Sequence, residues 1–221
     1  MRNLIAAVVL IFAGASSVCA KTAVFWQDGF PTVASEPISR QTLVRALDGM
    51  DPTFVGLEGL KDPATLKDVE LLVLPYGSSV PADAWESIHR YLRAGGNLLV
   101  VGGQPFRVPV SVNNGKFTEG SPQDSYSRVF DFRHTYEVPR TDGARFAWKF
   151  GYSFLPAVEI RARRLFAVEG PVEGLGYLVN GAGDEVAAPV IVADHTDVTR
   201  LENALLGSRF IMLDFEPEPG Y

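Results

Sequence analysis

The sequence predicts an open, mostly parallel α/β sheet with flanking helices and a β- or loop-rich insertion. Unbroken apolar runs such as "ELLVLPY" (70–76) and "NLLVVGG" (97–103) are typical of strands buried on both faces. Between them, "WESIHRYLRAGG" places Trp85, Ile88 and Leu92 at helical spacing and ends in two glycines. Strand, helix and strand, occurring twice before residue 106, indicate crossover units of a parallel sheet.

The first unit begins at "AVFW" (23–26), a buried strand that is closed by the turn residues Asp28-Gly29. "ISRQTLVRALDG" (38–49) follows as a helix with Leu43, Val44 and Leu47 on one face and Gly49 at its end. "TFVGLEGL" (53–60) reads as a short strand. Pro81 suits the first turn of the next helix, where its missing N–H costs little.

The pattern changes between about residues 107 and 164, where turn signals are frequent, helical periodicity is poor and aromatic residues are scattered. We interpret this region as the insertion. "RLFAVEG" (164–170), "AAPVIVADH" (187–195) and "SRFIMLDFEP" (208–217) then predict strands, and "DVTRLENALLG" (197–207) an irregular segment or short helix. Because no covering helix follows the last strand, we expect the domain over 21–221 to be truncated, with a further domain beyond Tyr221.

The first twenty residues have the pattern of a secretory signal peptide. Arg2 precedes an apolar run from Leu4 to Phe12, and Val18 and Ala20 stand at the −3 and −1 positions of a cut after Ala20. The run is too short to span a bilayer comfortably, so no transmembrane segment is expected in the mature chain. The pattern predicts a secreted or periplasmic protein of a bacterium; a lipoprotein signal centred on Cys19 is the weaker alternative.

Composition excludes several classes of function. The 221 residues carry a net charge of −6, which argues against an extended nucleic-acid surface. Cys19 is the only cysteine. The mature chain therefore has no disulfide, no thiolate metal site and no cysteine nucleophile. No motif indicates a cofactor, because "GGQPF" (102–106) lacks the dinucleotide-binding pattern and Pro105 opposes a helix start there.

The segments "VELLVLPYG", "IHRYLRAGGNLLVVGGQPF" and "FIMLDFEPE" together resemble the class I glutamine-amidotransferase-like superfamily. More narrowly, they resemble its non-catalytic members in secreted glycoside hydrolases and β-galactosidase trimerisation domains. The resemblance covers 23–106 and the last dozen residues, and it implies a flavodoxin-like sheet. Active members place a nucleophilic cysteine where Gly102 or Gly103 stands here.

The resemblance also implies that the catalytic base is missing. Glu216 stands in the place of the family's histidine, and only Glu218 matches the orienting acid. An orienting acid without a base or nucleophile performs no catalysis. The resemblance thus implies the fold of the superfamily without its thiol chemistry.

Other residues offer weaker catalytic hypotheses. Ser78 and Ser79 follow a strand but lack the G-x-S-x-G pattern, which favours a role in satisfying turn backbone. Of the three histidines, His89 is expected on a helix and His134 on a strand. Asp194, His195 and Asp197 have spacing that suits a divalent cation, although a solvated turn is the commoner reading. Asp28 could form a glycosidase carboxylate pair with an acidic residue near the last strand, although solvation of the sheet edge is the commoner role of such residues. The candidates are Asp214, Glu216 and Glu218.

A ligand of an open parallel sheet sits beyond the carboxyl ends of its strands. The residues expected there are Asp28, Tyr76, Ser78, Gly103 and Gln104. They supply an aromatic face, hydroxyls and an amide, which suit a carbohydrate, and they equally suit an interface with another domain or subunit.

Three functions follow as hypotheses. The first is a secreted, catalytically silent accessory or assembly module of a carbohydrate-active protein, joined to a further domain or to copies of itself. The second is a stand-alone glycan-binding protein. The third is a hydrolase that uses carboxylates or a metal near His195.

Overall fold

A computed structural model describes residues 1–13, 21–138, 143–195 and 207–221. The helices are α1 (Arg2–Ala13), α2 (Arg40–Ala46), α3 (Leu57–Lys61) and α4 (Trp85–Arg93), with 3₁₀ turns at Pro63–Leu66, Ala82–Ala84 and Ser127–Phe130. The strands are β1 (Thr22–Phe25), β2 (Pro52–Val55), β3 (Leu71–Leu74), β4 (Ser79–Pro81), β5 (Asn97–Val101), β6 (Val108–Asn113), β7 (Lys116–Glu119), β8 (Arg133–Val138), β9 (Arg145–Trp148), β10 (Ala162–Glu169), β11 (Glu173–Val179), β12 (Glu185–Asp194), β13 (Arg209–Leu213) and β14 (Phe215–Pro217).

An eight-stranded sheet, ordered β2-β1-β3-β5-β13-β12-β11-β9, forms the centre of the fold. The first five strands in this order run parallel, and the last three pair antiparallel. The mostly parallel sheet with flanking helices that the sequence predicts is therefore confirmed.

Successive residues of the central strands point to opposite faces, and both faces are buried. Leu72 and Leu74 of β3 belong to one core, which α3 and α4 cover. Leu71 and Val73 belong to the other core, which α1 and α2 cover. This double burial explains why these strands have no polar alternation in the sequence.

The region that the sequence analysis interprets as an insertion contains four strands, and these join three different sheets. β6 and β7 form a small sheet with β4, while β8 pairs with β10 in a second small sheet that ends at β14. β9 instead extends the central sheet at its far edge. The predicted strands at β10, β12 and β13 are confirmed.

Three local expectations differ from the structure. Val44 is 46% exposed, and Ala46 takes its place on the buried face of α2. "TFVGLEGL" is a strand only as far as Val55, and Leu57 begins α3. The segment 197–207 lies outside the described residues except for Gly207.

The N-terminal segment forms α1, which packs against α2 and buries Leu4, Ile5 and Val8 in the second core. The apolar run of this segment thus packs against apolar residues of the same chain. Removal of the segment after Ala20 stays a prediction. In the described part of the chain, no helix is long and apolar enough to cross a bilayer.

Candidate functional site at the carboxyl edge of the sheet

The candidate site lies where β1, β3, β5 and β13 end, which we call the carboxyl edge. Because these strands are parallel, the segments that follow them emerge on the same side of the sheet. These segments begin at Trp26, Pro75, Gly102 and Asp214. They contain the residues that the sequence singled out for ligand binding and those that the resemblance aligns with catalytic positions.

The turn after β5, where the resemblance implies a nucleophile, holds two glycines with left-handed backbone, Gly102 (φ +85°) and Gly103 (φ +69°). A Cβ atom on Gly102 would lie 2.2 Å from Ser35 Oγ, and one on Gly103 would lie 2.5 Å from the backbone nitrogen of Ser78. Neither distance is tolerable without movement of the neighbour. The strand-end turn therefore has the left-handed backbone but no room for a reactive side chain.

Ser35 reaches this position because the segment 33–35 lies across the carboxyl edge as a plug. Val33 O accepts a hydrogen bond of 2.8 Å from Ser78 N, and Val33 N donates to Tyr76 O at 3.4 Å. Ala34 has φ 51°, a left-handed conformation that a non-glycine residue seldom adopts. Within the described residues, the buried Oγ of Ser35 has no hydrogen-bond partner.

Most of the predicted ligand residues are bonded to their own chain. Ser78 is buried, and its Oγ accepts a hydrogen bond of 2.8 Å from Gln104 N, which fits the role in satisfying turn backbone. The Tyr76 hydroxyl accepts from Gln27 N at 2.8 Å and donates to Gln27 O at 3.1 Å. Burial raises the pKa of Tyr76, so this hydroxyl stays protonated and able to donate.

A buried histidine–aspartate pair lies beside the loop that contains the two glycines. His134 Nδ1 is 3.4 Å from Asp214 Oδ1, and the two side chains are 0% and 1% exposed. His134 Nε2 lies 3.1 Å from Pro105 O. Because a carbonyl oxygen only accepts, Nε2 carries the proton in this arrangement.

Burial sets the charge of this pair. Desolvation lowers the pKa of His134 to about 4 and raises the pKa of Asp214 well above its usual value. Burial thus favours the neutral imidazole and shifts Asp214 towards its neutral acid. With Nε2 bonded to Pro105 and no exposed surface, His134 has no access to a substrate proton.

The acidic residues of the last strands lie in different surroundings. Glu216 forms ion pairs with Arg163 at 3.3 Å and with Arg164. Glu218 N donates a hydrogen bond of 3.0 Å to Arg161 O. Asp214 lies beside His134, whereas Asp28 is exposed on the loop after β1, so these two carboxylates have different surroundings.

The metal hypothesis gains no support from the described part of the chain. Asp194 Oδ2 forms an ion pair of 3.0 Å with Arg209 Nη2. The His195 ring is buried against the ring of Phe210, with centroids 5.1 Å apart. Asp197 lies outside the described residues, and among those that are described no three His, Cys, Asp or Glu residues come together as a metal site.

An open cleft of about 300 Å³ remains at the carboxyl edge between the ends of β1 and β3. It is lined by Trp26, Gln27, Asp28, Gly29, Phe30, Thr32, Pro37, Ile38, Pro75 and Tyr76. Asp28 and Tyr76 of the predicted ligand residues line this cleft, whereas Ser78, Gly103 and Gln104 do not.

Sequence reasoning missed three features of this edge. Ser35 gave no signal because it sits in a loop with no motif. His134 and Asp214 are each candidates in the sequence, but their proximity cannot be predicted from local spacing, because His134 lies on β8 and Asp214 follows β13. Trp26 was assigned to a buried strand, although an aromatic residue directly before the turn Asp28-Gly29 was the available signal.

No family model matches the chain, and no curated protein matches it by sequence. Solved structures do resemble it. The β-galactosidase from Rahnella sp. R3 superposes with a TM-score of 0.52 and 13% identity, over 90% of this chain and 29% of that chain. The exo-β-1,4-mannosidase Op5Man5 from Opitutaceae bacterium strain TAV5 superposes with a TM-score of 0.51 and 12% identity, over 89% of this chain and 31% of that chain.

The N-terminal domain of mmIFT52 superposes equally well, with a TM-score of 0.51 and 13% identity over 88% of this chain and 86% of that chain. At such identities the likeness concerns the fold. This chain spans less than a third of the two glycoside hydrolases that it matches. The resemblance to a domain of larger carbohydrate-active proteins is thereby supported at the level of architecture.

Proposed function

We propose that this chain is a secreted, catalytically silent amidotransferase-like domain that serves as an accessory or assembly module of a carbohydrate-active protein. The observation that carries the proposal is the occupied nucleophile position. Gly102 keeps the left-handed backbone, but Ser35 Oγ fills the space that a side chain there would need. Ordinary members of the superfamily that the sequence resembles depend on that side chain.

Two further observations support this reading. The five parallel strands of the central sheet lie in the order β2-β1-β3-β5-β13. Numbered from one to five along the chain, they have the order 2-1-3-4-5, which is the order of the flavodoxin-like fold. The matched glycoside hydrolases contain this architecture as part of a longer chain. In the proposal, the domain contributes surface and assembly contacts, while a further domain or another copy of the chain supplies the rest.

The coding DNA past the codon for Tyr221 tests the accessory role. The proposal expects the frame to continue into a further domain of a carbohydrate-active protein. A stop codon directly after Tyr221 contradicts a fused module and favours the hypothesis of a stand-alone glycan-binding protein.

The second candidate function is a stand-alone glycan-binding protein. The open cleft between β1 and β3 favours it, because Trp26, Gln27 and Asp28 combine an aromatic ring with polar groups there. The third hypothesis, a hydrolase that uses carboxylates or a metal near His195, has no such observation behind it. Glu216 and Asp194 form ion pairs with arginines, and no metal-binding cluster forms among the described residues.

A further inference from the structure

The topology of the sheet directs attention to one crevice. In the sheet, β2 and β3 flank β1 on opposite sides. The chain runs from β1 through α2 to β2, and from β3 through α4 to β5. α2 packs on one face of the sheet and α4 on the other. The segments after β1 and β3 therefore diverge, and open α/β sheets bind ligands at such a switch point. The cleft of about 300 Å³ lies there.

The walls of this cleft are fixed before any ligand arrives. The half-buried ring of Trp26 lies 6.3 Å from the ring of Phe54, in an edge-to-face arrangement, and 6.3 Å from the ring of Tyr76. Gln27 Oε1 accepts a hydrogen bond of 3.0 Å from Leu57 N. A wall that is already ordered loses little conformational entropy when a ligand binds.

The chemistry of the lining selects the class of ligand. None of the lining residues is a lysine, arginine or histidine, which disfavours phosphates and carboxylates. Asp28 offers a carboxylate that accepts hydrogen bonds from hydroxyl groups, and Thr32 adds a hydroxyl. The apolar ring of Trp26 suits the apolar face of a pyranose. The volume lies at the lower end of the range for ligand sites, about 300–1,000 Å³, so one ring fits.

We infer that the cleft binds a single neutral sugar ring, stacked on Trp26 and held through its hydroxyls by Asp28. The inference deepens the second candidate function and is independent of whether a further domain follows Tyr221. Asp28 is a better residue to replace in a binding test than Tyr76. Tyr76 is buried and bonded to Gln27, so its removal would disturb the fold as well as the cleft.

The test is titration of the purified chain with the methyl glycosides of galactose, mannose and glucose, followed by NMR. The chain has three tryptophans, and the indole signal of Trp26 is assigned from its loss in Trp26→Phe. At least one glycoside is expected to shift the Trp26 signal while the other two indole signals stay in place. Asp28→Asn is expected to weaken that binding at least tenfold with an unchanged melting temperature.

Asp48→Asn is the matched control, because Asp48 is an exposed aspartate in the turn after α2 and does not line the cleft. It is expected to bind as the unaltered chain does. Tetramethylammonium is the contrasting probe, since an aromatic ring beside a carboxylate also suits a cation. A shift of the Trp26 signal by that cation alone, no shift with any glycoside at millimolar concentration, or full affinity in Asp28→Asn would overturn the inference.

Discussion

Replacing Gly102 by alanine tests whether the turn after β5 has room for a side chain at this position. Two costs add. A residue with a Cβ in the left-handed region loses about 1–2 kcal/mol. The new Cβ would lie 2.2 Å from Ser35 Oγ, so the plug must shift against its bonds to Tyr76 and Ser78, and overpacking of this kind costs about 1–3 kcal/mol. We expect Gly102→Ala to lower the free energy of unfolding by about 2–5 kcal/mol.

A double-mutant cycle separates the two costs. Ser35→Gly removes the hydroxymethyl group, so it should restore about 1–3 kcal/mol in the Gly102→Ala background and leave the backbone cost in place. Gly115→Ala is the control, because Gly115 has φ +73° but no atom within 4 Å of the added Cβ. Urea unfolding measures all four variants. The reasoning is refuted if Gly102→Ala costs no more than Gly115→Ala, or if Ser35→Gly gives no relief.

Three further predictions concern the rest of the fold. Burial lowers the pKa of His134 from 6.5 to about 4, so titration of this imidazole alone lowers the free energy of unfolding as the pH falls from about 6.5 to 4. The raised pKa of Asp214 has the opposite effect, because the folded state then binds the proton of the acid more tightly than the unfolded state does. Asp214→Asn should therefore lose more stability than the unaltered chain between pH 7 and pH 4 in urea unfolding, because the loss from His134 remains and the opposing effect of the acid is gone; parallel pH profiles would contradict this. Gly96→Ala should destabilise the fold by about 1–3 kcal/mol, because its Cβ would lie 2.2 Å from the ring of Tyr91. Gly181→Ala is the control and should be near neutral, because the space around Gly181 is open. Thermal melting compares the two variants, and equal melting temperatures would count against the packing described. Deleting residues 1–20 should raise the fluorescence of a bound hydrophobic dye, because α1 covers the apolar face that Leu43 and Leu47 share; an unchanged signal would mean that this face stays covered without α1.

The central sheet was predictable because its signal is local. "LLVL" and "NLLVV" are apolar without alternation, and strands buried on both faces require that composition. Gly95 ends α4 with φ +92°, the conformation for which a glycine after a helix is selected. The alternation of such strands and helices left few arrangements other than a parallel sheet.

The candidate site was predictable only in part, because its contacts are remote in sequence. The strand ends indicated Asp28 and Tyr76, which do line the cleft. Nothing local indicated that Ser35 would fill the space beside Gly102, or that His134 would meet Asp214. The same holds for Glu216, whose arginine partners lie on β10, more than fifty residues earlier in the chain.

The most direct test of the central claim is a turnover assay of the purified chain with 4-nitrophenyl glycosides and with glutamine. The account predicts no product above the level of buffer alone, because the turn at Gly102 has no room for a side chain and His134 is buried with its Nε2 at Pro105 O. Turnover that persists through purification and is abolished by Asp214→Asn or Glu216→Gln, with the fold intact, would contradict it.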